Sequence, residues 1–307
     1  MKRFFPLIVC AIALCLIFLS GRDVRAWGEV GHEIVGRSAA MKLPSQMPSF
    51  LRKSVSQLGY LNPEPDRWRA KEESDIDKAL DYAQASDHYI DLEFVPPDGL
   101  QFPSRYDLAA ALVKAGKRPN EAGFLPFRIL ETFQTLRIEF RLWRATTDKS
   151  KRSWIEQRII NDAGILGHYV ADGSNPHHTT MHHNGWIGDN PNGYTLPAKE
   201  NGIHWRFENE FVRTHIQLND VLPLVGGDAK VIDRPREAII AYLKNSFSKV
   251  VELYELEKRE PFGEASRSPE SKRFVTERLA AGGTMLRDLW WTAWVTSAID
   301  AKSITSR

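Results

Sequence analysis

The stretch LPFRILETFQTLRIEFRLWRA, residues 125–145, decides the fold class of this protein. Its apolar residues recur at intervals of three or four, which places them on one face of an α-helix. They are Phe127, Ile129, Leu130, Phe133, Leu136, Phe140 and Leu142. A stripe of this length and period is typical of a helix that packs against a hydrophobic core.

The same period predicts helices on both sides of this stretch. The predicted spans are 29–43, 154–170, 208–218 (continuing a helix begun near 201), 232–257 and 268–299. The tryptophans of DLWWTAW, 288–294, are expected to pack in the core. Alternating strand patterns are almost absent, and the nearest, HYIDLEFV at 88–95, is too short and isolated to form a sheet. The sequence therefore predicts an all-α protein.

The segments between the predicted helices are polar and rich in proline and glycine, and the longest are 61–72, 93–105 and 173–200. The last exceeds the usual length of a connection without secondary structure, and loops of that length are often functional. No repeat, low-complexity tract or break in composition marks a linker. We therefore expect one domain of packed helices with long polar loops over residues 27–307.

The first 26 residues have the pattern of a secretory signal peptide. A basic head, Lys2 and Arg3, precedes an apolar run over 6–19, and Val-Arg-Ala ends at Ala26. The run is shorter than the ~20 residues that span a bilayer as a helix, so a retained membrane anchor is the alternative reading. We expect cleavage after Ala26 and a secreted or periplasmic protein without a transmembrane segment.

This cleavage would change the charge and the thiol content of the chain. It removes four basic residues and one acidic residue, which leaves 37 of the 41 basic residues and 38 of the 39 acidic residues. The formal charge therefore falls from +2 to −1. Nothing in that balance requires a polyanionic partner. Both cysteines, Cys10 and Cys15, leave with the signal. The remaining chain has no disulfide, and a bound metal becomes a plausible source of stability.

The nine histidines carry the chemical signal. In GHYVADGSNPHHTTMHHNGW, 167–186, His168 and Asp172 are four residues apart at the end of a predicted helix, so their side chains share one face. His204 and Glu208 repeat this spacing. One such pair is usually a solvated helix pair, but two pairs joined by a histidine-bearing loop favour a zinc site. The remaining histidines His182, His183 and His215 are expected at the surface.

The start of the mature chain supplies a further ligand type. If Trp27 is the first residue, its free amine, with a pKa of ~7.7–8.0, and its carbonyl oxygen can chelate a cation. His32 lies one helical turn into the first predicted helix and would add an imidazole nitrogen. Removal of the signal would thus create a metal ligand that the precursor lacks.

Together these features resemble the superfamily that contains the zinc-dependent phospholipases C and the single-strand-specific zinc nucleases. Its members are all-helical, begin their mature chain on tryptophan and hold three zinc ions. The resemblance extends from Trp27 to about Glu208, roughly 180 residues. The glutamate at 208 and the absence of cysteine are closer to the phospholipase branch, and the glycine-rich stretch of the nucleases is not recognisable here.

The resemblance implies three metal sites with one bridging ligand. The first site takes Trp27 and His32, and Asp172 bridges from it to the second. His178 is preferred over His177 in the third site, because the family places this ligand six residues beyond the bridging aspartate. The third site is completed by His204 and Glu208.

The second site takes His88 and His168 together with an aspartate from the segment before His88. Asp66, in PEPDRWR, is the preferred aspartate. The family's aspartate usually lies closer to the histidine than this, so Asp75 or Asp77 is the alternative. The resemblance also implies that Asp66 is both a metal ligand and the general base.

These expectations define the function classes. The first is a secreted zinc phosphodiesterase, in which a metal-bound hydroxide attacks phosphorus in line. Within this class we favour an enzyme of the phospholipase C type over a nuclease that cleaves single-stranded DNA or RNA. Trp186 or Tyr194 could stack a base or contact a choline head group. The alternatives are a non-catalytic exported zinc-binding protein and a purely structural helical protein. No stable protein partner is implied.

Overall fold

The computed structural model describes residues 27–298, and the predicted signal segment, its cleavage site, both cysteines and residues 299–307 lie outside the described residues. The described chain is all-α, as predicted, and no strand occurs between residues 27 and 298. In place of a strand at 88–95, Ile90 forms one isolated bridge with Gly123.

Sixteen α-helices are described within residues 27–298. They are α1 (Gly28–Met41), α2 (Ser49–Lys53), α3 (Val55–Leu61), α4 (Glu64–Arg67), α5 (Lys71–Ile76), α6 (Lys78–Ala85), α7 (Arg105–Lys114), α8 (Pro119–Ala122), α9 (Leu125–Ala145), α10 (Lys149–Ser174), α11 (Ile203–Trp205), α12 (Val212–His215), α13 (Leu218–Val221), α14 (Pro235–Phe247), α15 (Val250–Arg259) and α16 (Pro269–Thr296). The 3-10 segments are Gly99–Gln101, Pro176–Thr179 and Leu222–Leu224, and Arg206–Phe211 is a π-helix.

The central helix is α10, which packs against α1, α3, α9 and α16. Its second half is entirely buried from Ala163 to Ser174, so this helix is surrounded by protein where it ends. Trp290 of α16 is fully buried and donates from its indole nitrogen to the Ala163 carbonyl at 3.2 Å. Trp291 and Trp294 pack against the same core and are partly buried. The predicted core role of the C-terminal tryptophans is confirmed.

Helix starts follow local rules that the sequence shows. Asp148 and Ser268 lie immediately before α10 and α16, and each side chain accepts a hydrogen bond from a backbone N–H of the first turn. Pro126, Pro235 and Pro269 occupy the first turns of α9, α14 and α16, where a missing N–H costs no helical hydrogen bond. The predicted helices at 125–145, 154–170 and 268–299 therefore lie close to where the periodicity placed them.

Two predictions of local structure were wrong. Residues 232–257 form α14 and α15 rather than one helix, and Ser248 and Lys249 separate the two. At this break the Ser248 hydroxyl donates to the Asn245 carbonyl at 2.7 Å, a local bond that competes with continuation of the helix. The predicted loop 61–72 contains α4 and the start of α5.

Within residues 27–298, no helix is both long and apolar enough to span a membrane.

Candidate metal centre

Three groups of histidine and carboxylate side chains meet beside the end of α10. Within each group the candidate ligand atoms all lie within 4.8 Å of one another. The groups are His32, His168 and Asp172; Asp66, His88 and His168; and His178, His204 and Glu208. Groups of this composition and burial could hold metal ions.

Distant parts of the chain supply these side chains. His168 and Asp172 project from the last two turns of α10, one turn apart. Helix α1 brings His32 and the short helix α4 brings Asp66 to the same point. The remaining donors come from His88 after α6, His178 in the 3-10 turn, His204 in α11 and Glu208 in the π-helix.

The Asp172 carboxylate lies between the first two groups. Its Oδ1 is 3.5 Å from His32 Nε2, and its Oδ2 is 3.2 Å from both His88 Nδ1 and His168 Nε2. Asp66 has a parallel arrangement, with Oδ2 3.8 Å from His32 Nε2 and Oδ1 3.8 Å from the other two nitrogens. Each carboxylate thus presents one oxygen to His32 and the other to His88 and His168, as a bridging ligand does.

The third group is a compact triangle of donor atoms. Glu208 Oε1 lies 3.1 Å from His178 Nε2 and 2.6 Å from His204 Nε2, and the two nitrogens are 3.2 Å apart. Ligand atoms ~2.0–2.1 Å from a tetrahedral zinc ion are about 3.3 Å from one another. These separations are therefore close to those of ligands around one small cation.

Backbone and amide oxygens fix the orientation of three imidazole rings. The Asn62 side-chain oxygen accepts from His32 Nδ1 at 3.1 Å, and the Asn62 carbonyl accepts from His168 Nδ1 at 3.0 Å. The His88 carbonyl accepts from His178 Nδ1 at 2.6 Å. With Nδ1 of each ring donating to one of these oxygens, Nε2 faces the carboxylates and is the nitrogen placed to bind a metal.

Several buried atoms of these groups have no hydrogen-bond partner within the described chain. They are His32 Nε2, Asp66 Oδ2, His88 Nε2, Asp172 Oδ1 and Glu208 Oε2. Buried polar atoms without partners are rare and costly in proteins. Three of these atoms face one another, because His32 Nε2 lies 3.8 Å from Asp66 Oδ2 and 3.5 Å from Asp172 Oδ1, so a cation bound between them would satisfy all three.

Burial and mutual charge set the protonation of the donors. Burial lowers the pKa of His32 well below its usual value and that of His88 to about 3, so both rings are neutral. Burial opposes ionisation of Asp172, but the neighbouring His168 and His178 outweigh it and hold its pKa well below the usual range. Neutral imidazole beside ionised carboxylate is the form in which these groups bind metals.

The remaining carboxylates and His178 respond to the same forces. Burial raises the pKa of Asp66 to about 7. Burial also disfavours the ionised form of Glu208, but His204 and then His178 outweigh it and lower the pKa. Burial lowers the pKa of His178, whereas Asp172 and Glu208 raise it to about 9. A cation that binds the third group near neutral pH must therefore displace a proton.

Trp27 is fixed beside the first group. It is fully buried, and its indole nitrogen donates to the Ala171 carbonyl at 2.8 Å and to Ser174 Oγ at 3.0 Å, both on the turn of α10 that carries Asp172. Its carbonyl oxygen accepts from the Gly31 N–H at 3.2 Å. The backbone φ of Trp27 is 34°, in the left-handed region that bulky residues rarely adopt.

The sequence left open which aspartate joins the second group and which histidine joins the third, and the candidates differ in burial and position. Asp66 is buried with the histidines, whereas Asp75 and Asp77 are exposed and Asp77 caps α6. His178 lies in the third group, and His177 instead stacks on His204 with ring centroids 5.0 Å apart.

Of the three histidines expected at the surface, His183 is exposed and His182 and His215 are half-buried. His182 stacks on Trp186 at 4.1 Å, and His215 contacts the Gly263 carbonyl at 3.1 Å. Exposed His183 lines a cleft that opens onto the candidate ligands His178 and His204. Trp186 and Tyr194 pack against each other and Tyr254 and do not line that cleft.

A cleft of about 600 Å³ opens onto the candidate ligands His88, His178 and His204. Its wall also includes Arg69, Arg118, Asp91, Glu121 and the aromatic rings of Tyr82, Tyr89 and Phe94. Arg69 Nε donates to Asp81 Oδ1 at 2.8 Å, which ties the guanidinium group to α6. A ligand with an anionic group could therefore reach both the donor cluster and a fixed cation.

Sequence reasoning missed Asn62, Asn175 and Arg69. Asn62 acts partly through its backbone carbonyl, for which residue type gives no signal. Asn175 donates from its amide nitrogen to Glu208 Oε1, and its position directly after α10 was the only signal available. Arg69 lies three residues after Asp66, in the turn that follows α4, and its closeness in sequence to that aspartate was the signal available.

No family model matches the chain, and no curated protein sequence matches it.

Proposed function

We propose that this chain is a secreted zinc-dependent phosphoric diester hydrolase of the phospholipase C type, and that it belongs to the zinc phospholipase C and nuclease superfamily. The observation that carries the proposal is the pair of carboxylates, Asp66 and Asp172, each with one oxygen toward His32 and one toward His88 and His168. Adjacent cation sites that share carboxylate ligands are typical of enzymes that cleave phosphate esters.

Zinc bound there would lower the pKa of a coordinated water towards neutrality and neutralise charge on the phosphoryl oxygens. The residues that would hold it are His32, Asp66, His88, His168 and Asp172 in the first two groups. The third group would use His178, His204 and Glu208. Three ions per chain are expected.

The chain supplies the proton acceptor and a phosphate contact. Asp66 Oδ2 is buried and has no hydrogen-bond partner among the described residues, and we propose this carboxylate as the base that accepts the proton of the attacking water, as the resemblance implies. Arg69 is held through Nε, so its terminal nitrogens remain for the phosphoryl oxygens of a substrate in the cleft.

The N-terminal part of the proposal rests on Trp27. Its indole anchors the residue one turn from Asp172. Cleavage after residue 26 would free the amine of Trp27. It would also remove the preceding carbonyl group, whose position relative to the Trp27 side chain is what makes a positive φ unfavourable, and so relieve the backbone strain. We propose that the freed amine and carbonyl complete the first site with His32.

The charge of the cleft favours a lipid head group over a nucleic acid strand. Arg118 in the wall pairs with Glu121 at 3.3 Å, and Arg69 pairs with Asp81 at 2.8 Å. A strand-binding groove is expected to have an excess of cationic side chains along the phosphates. The formal charge of −1 expected for the mature chain and the glutamate at 208 favour the same assignment.

The test compares Asp66→Asn with Asp75→Asn, a matched change at an exposed aspartate. With bis(p-nitrophenyl) phosphate and added zinc, we expect Asp66→Asn to lose about 10²–10⁴-fold of the rate and Asp75→Asn to keep it. Zinc binding without turnover in the unaltered protein would show a non-catalytic zinc-binding protein. The same sample on phosphatidylcholine and on single-stranded DNA and RNA decides the substrate, and activity on nucleic acid alone would overturn the phospholipase assignment.

A further inference from the structure

Helix α6 turns its apolar side to water. Ala79, Leu80, Tyr82 and Ala83 are exposed, while Asp81 on the other side bonds to Arg69 of the protein body. On a helix these four apolar positions fall on one continuous face. A surface helix ordinarily buries such a face, so this orientation is the reverse of the usual one.

The exposure continues into α5. Neither α5 nor α6 has a buried residue, and Ile76, the last residue of α5, is 76% exposed. Leu80 and Tyr82 are 43% and 62% exposed. We call Ile76, Ala79, Leu80, Tyr82 and Ala83 the apolar ridge. Contiguous exposed apolar groups of this kind mark contact surfaces rather than ordinary solvated surface.

The apolar ridge borders the cleft. Tyr82 belongs to the ridge and also lines the cleft wall. Exposed Ile187, from the segment after the 3-10 turn, lines the same cleft. A surface that covered the ridge would therefore lie against the entrance through which a substrate reaches the donor cluster.

The charge beside the ridge selects the kind of surface. Residues 71–85 contain five acidic side chains, Glu72, Glu73, Asp75, Asp77 and Asp81, and two lysines, Lys71 and Lys78. This excess of negative charge repels anionic lipid and nucleic acid. A zwitterionic lipid layer has cationic choline groups outermost, which suit acidic side chains, and Tyr is favoured at such an interface.

We infer that the apolar ridge docks the protein on a zwitterionic lipid surface and brings the cleft entrance to lipid head groups. This inference rests on the proposed function for its purpose, but docking can be measured without catalysis. Insertion of Ile76 and Leu80 among the outer methylenes would supply the apolar contact.

The experiment measures co-sedimentation of the purified protein with phosphatidylcholine vesicles and with phosphatidylglycerol vesicles. The test variant is Ile76→Ser/Leu80→Ser. The control is Leu224→Ser/Val251→Ser, because those side chains are 50% and 53% exposed and lie away from the cleft wall. Hydrolysis of soluble bis(p-nitrophenyl) phosphate is followed in parallel for every protein.

We expect the test variant to bind phosphatidylcholine vesicles about tenfold or more weakly, with the control unchanged and the soluble substrate cleaved equally by all. Equal vesicle binding by the test variant and the unaltered protein, or preference for phosphatidylglycerol, would overturn the inference. Sedimentation velocity that shows a dimer dispersed by the test variant would identify a second copy as the occupant instead. Loss of the soluble reaction in every protein would count against the proposed function alone.

Discussion

Asn62 offers the sharpest test of the candidate metal centre. It is fully buried and accepts from His32 Nδ1 through its side chain and from His168 Nδ1 through its backbone. Asn62→Ala removes only the side-chain acceptor. His32 then loses the contact that fixes its tautomer, while His168 keeps its partner. The substitution thus separates one ring of the cluster from the others.

The expected size follows from this single lost contact. Loss of an outer partner of a metal-bound histidine weakens metal affinity ~10–100-fold, which is about 1.4–2.8 kcal/mol at 1.4 kcal/mol per factor of ten. The unpaired Nδ1–H of buried His32 should lower the free energy of unfolding by a further ~1–3 kcal/mol. The group of His178, His204 and Glu208 makes no hydrogen bond to Asn62 and should be unaffected.

The assay is zinc titration against a competing chelator, with bound metal measured by elemental analysis and folding checked by circular dichroism. We expect one zinc equivalent to weaken and the others to hold. Asn62→Asp is the control, because it keeps the oxygen acceptor and should retain binding. Affinity in Asn62→Ala equal to that of the unaltered protein, or equal weakening of every equivalent, would refute the orienting role.

Four further outcomes are expected. Gly167→Ala would place a Cβ 2.1 Å from Asn62 Nδ2, so the free energy of unfolding measured by urea denaturation should fall by about 1–3 kcal/mol. In the control Gly226→Ala the nearest atom to the new Cβ, the Leu224 carbonyl oxygen, is 3.7 Å away, and the free energy of unfolding should not change. EDTA should lower the melting temperature, since each site saturated at 100 times its Kd contributes ~2.7 kcal/mol; an unchanged value after verified metal removal contradicts this. One extra residue before Trp27 in the mature chain should remove about one zinc equivalent and most of the rate, and full retention of both would exclude the amine chelate. Burial lowers the pKa of His178, but the carboxylates facing it raise the pKa to about 9. Below that pH the proton must leave before a metal binds, so zinc affinity should fall by up to about tenfold per pH unit from pH 8 to 6; an affinity that does not change with pH would oppose His178 as a zinc ligand.

Local pattern allowed much of the fold to be predicted. The 3.6-residue period of α9 and α16 and the residues that cap α10 and α16 lie within short windows of sequence, where neighbours along the chain decide the conformation. The short helices α2 to α8 were missed, because segments of four to ten residues bury too little of one face to show a period. The break between α14 and α15 was missed because no proline or glycine marks Ser248 and Lys249.

The sequence by itself determined the donor types and two pairings, His168 with Asp172 and His204 with Glu208, because residues four apart on a helix share a face. Only the tertiary structure decided that Asp66 lies with them while Asp75 and Asp77 face solvent. The difference is physical. Helical spacing is fixed by backbone hydrogen bonds within one turn, whereas the meeting of α1, α4 and α10 depends on side chains that pack across more than 100 residues of chain. The orientation of the rings by a backbone carbonyl is set by that packing alone, since every residue type carries the same carbonyl.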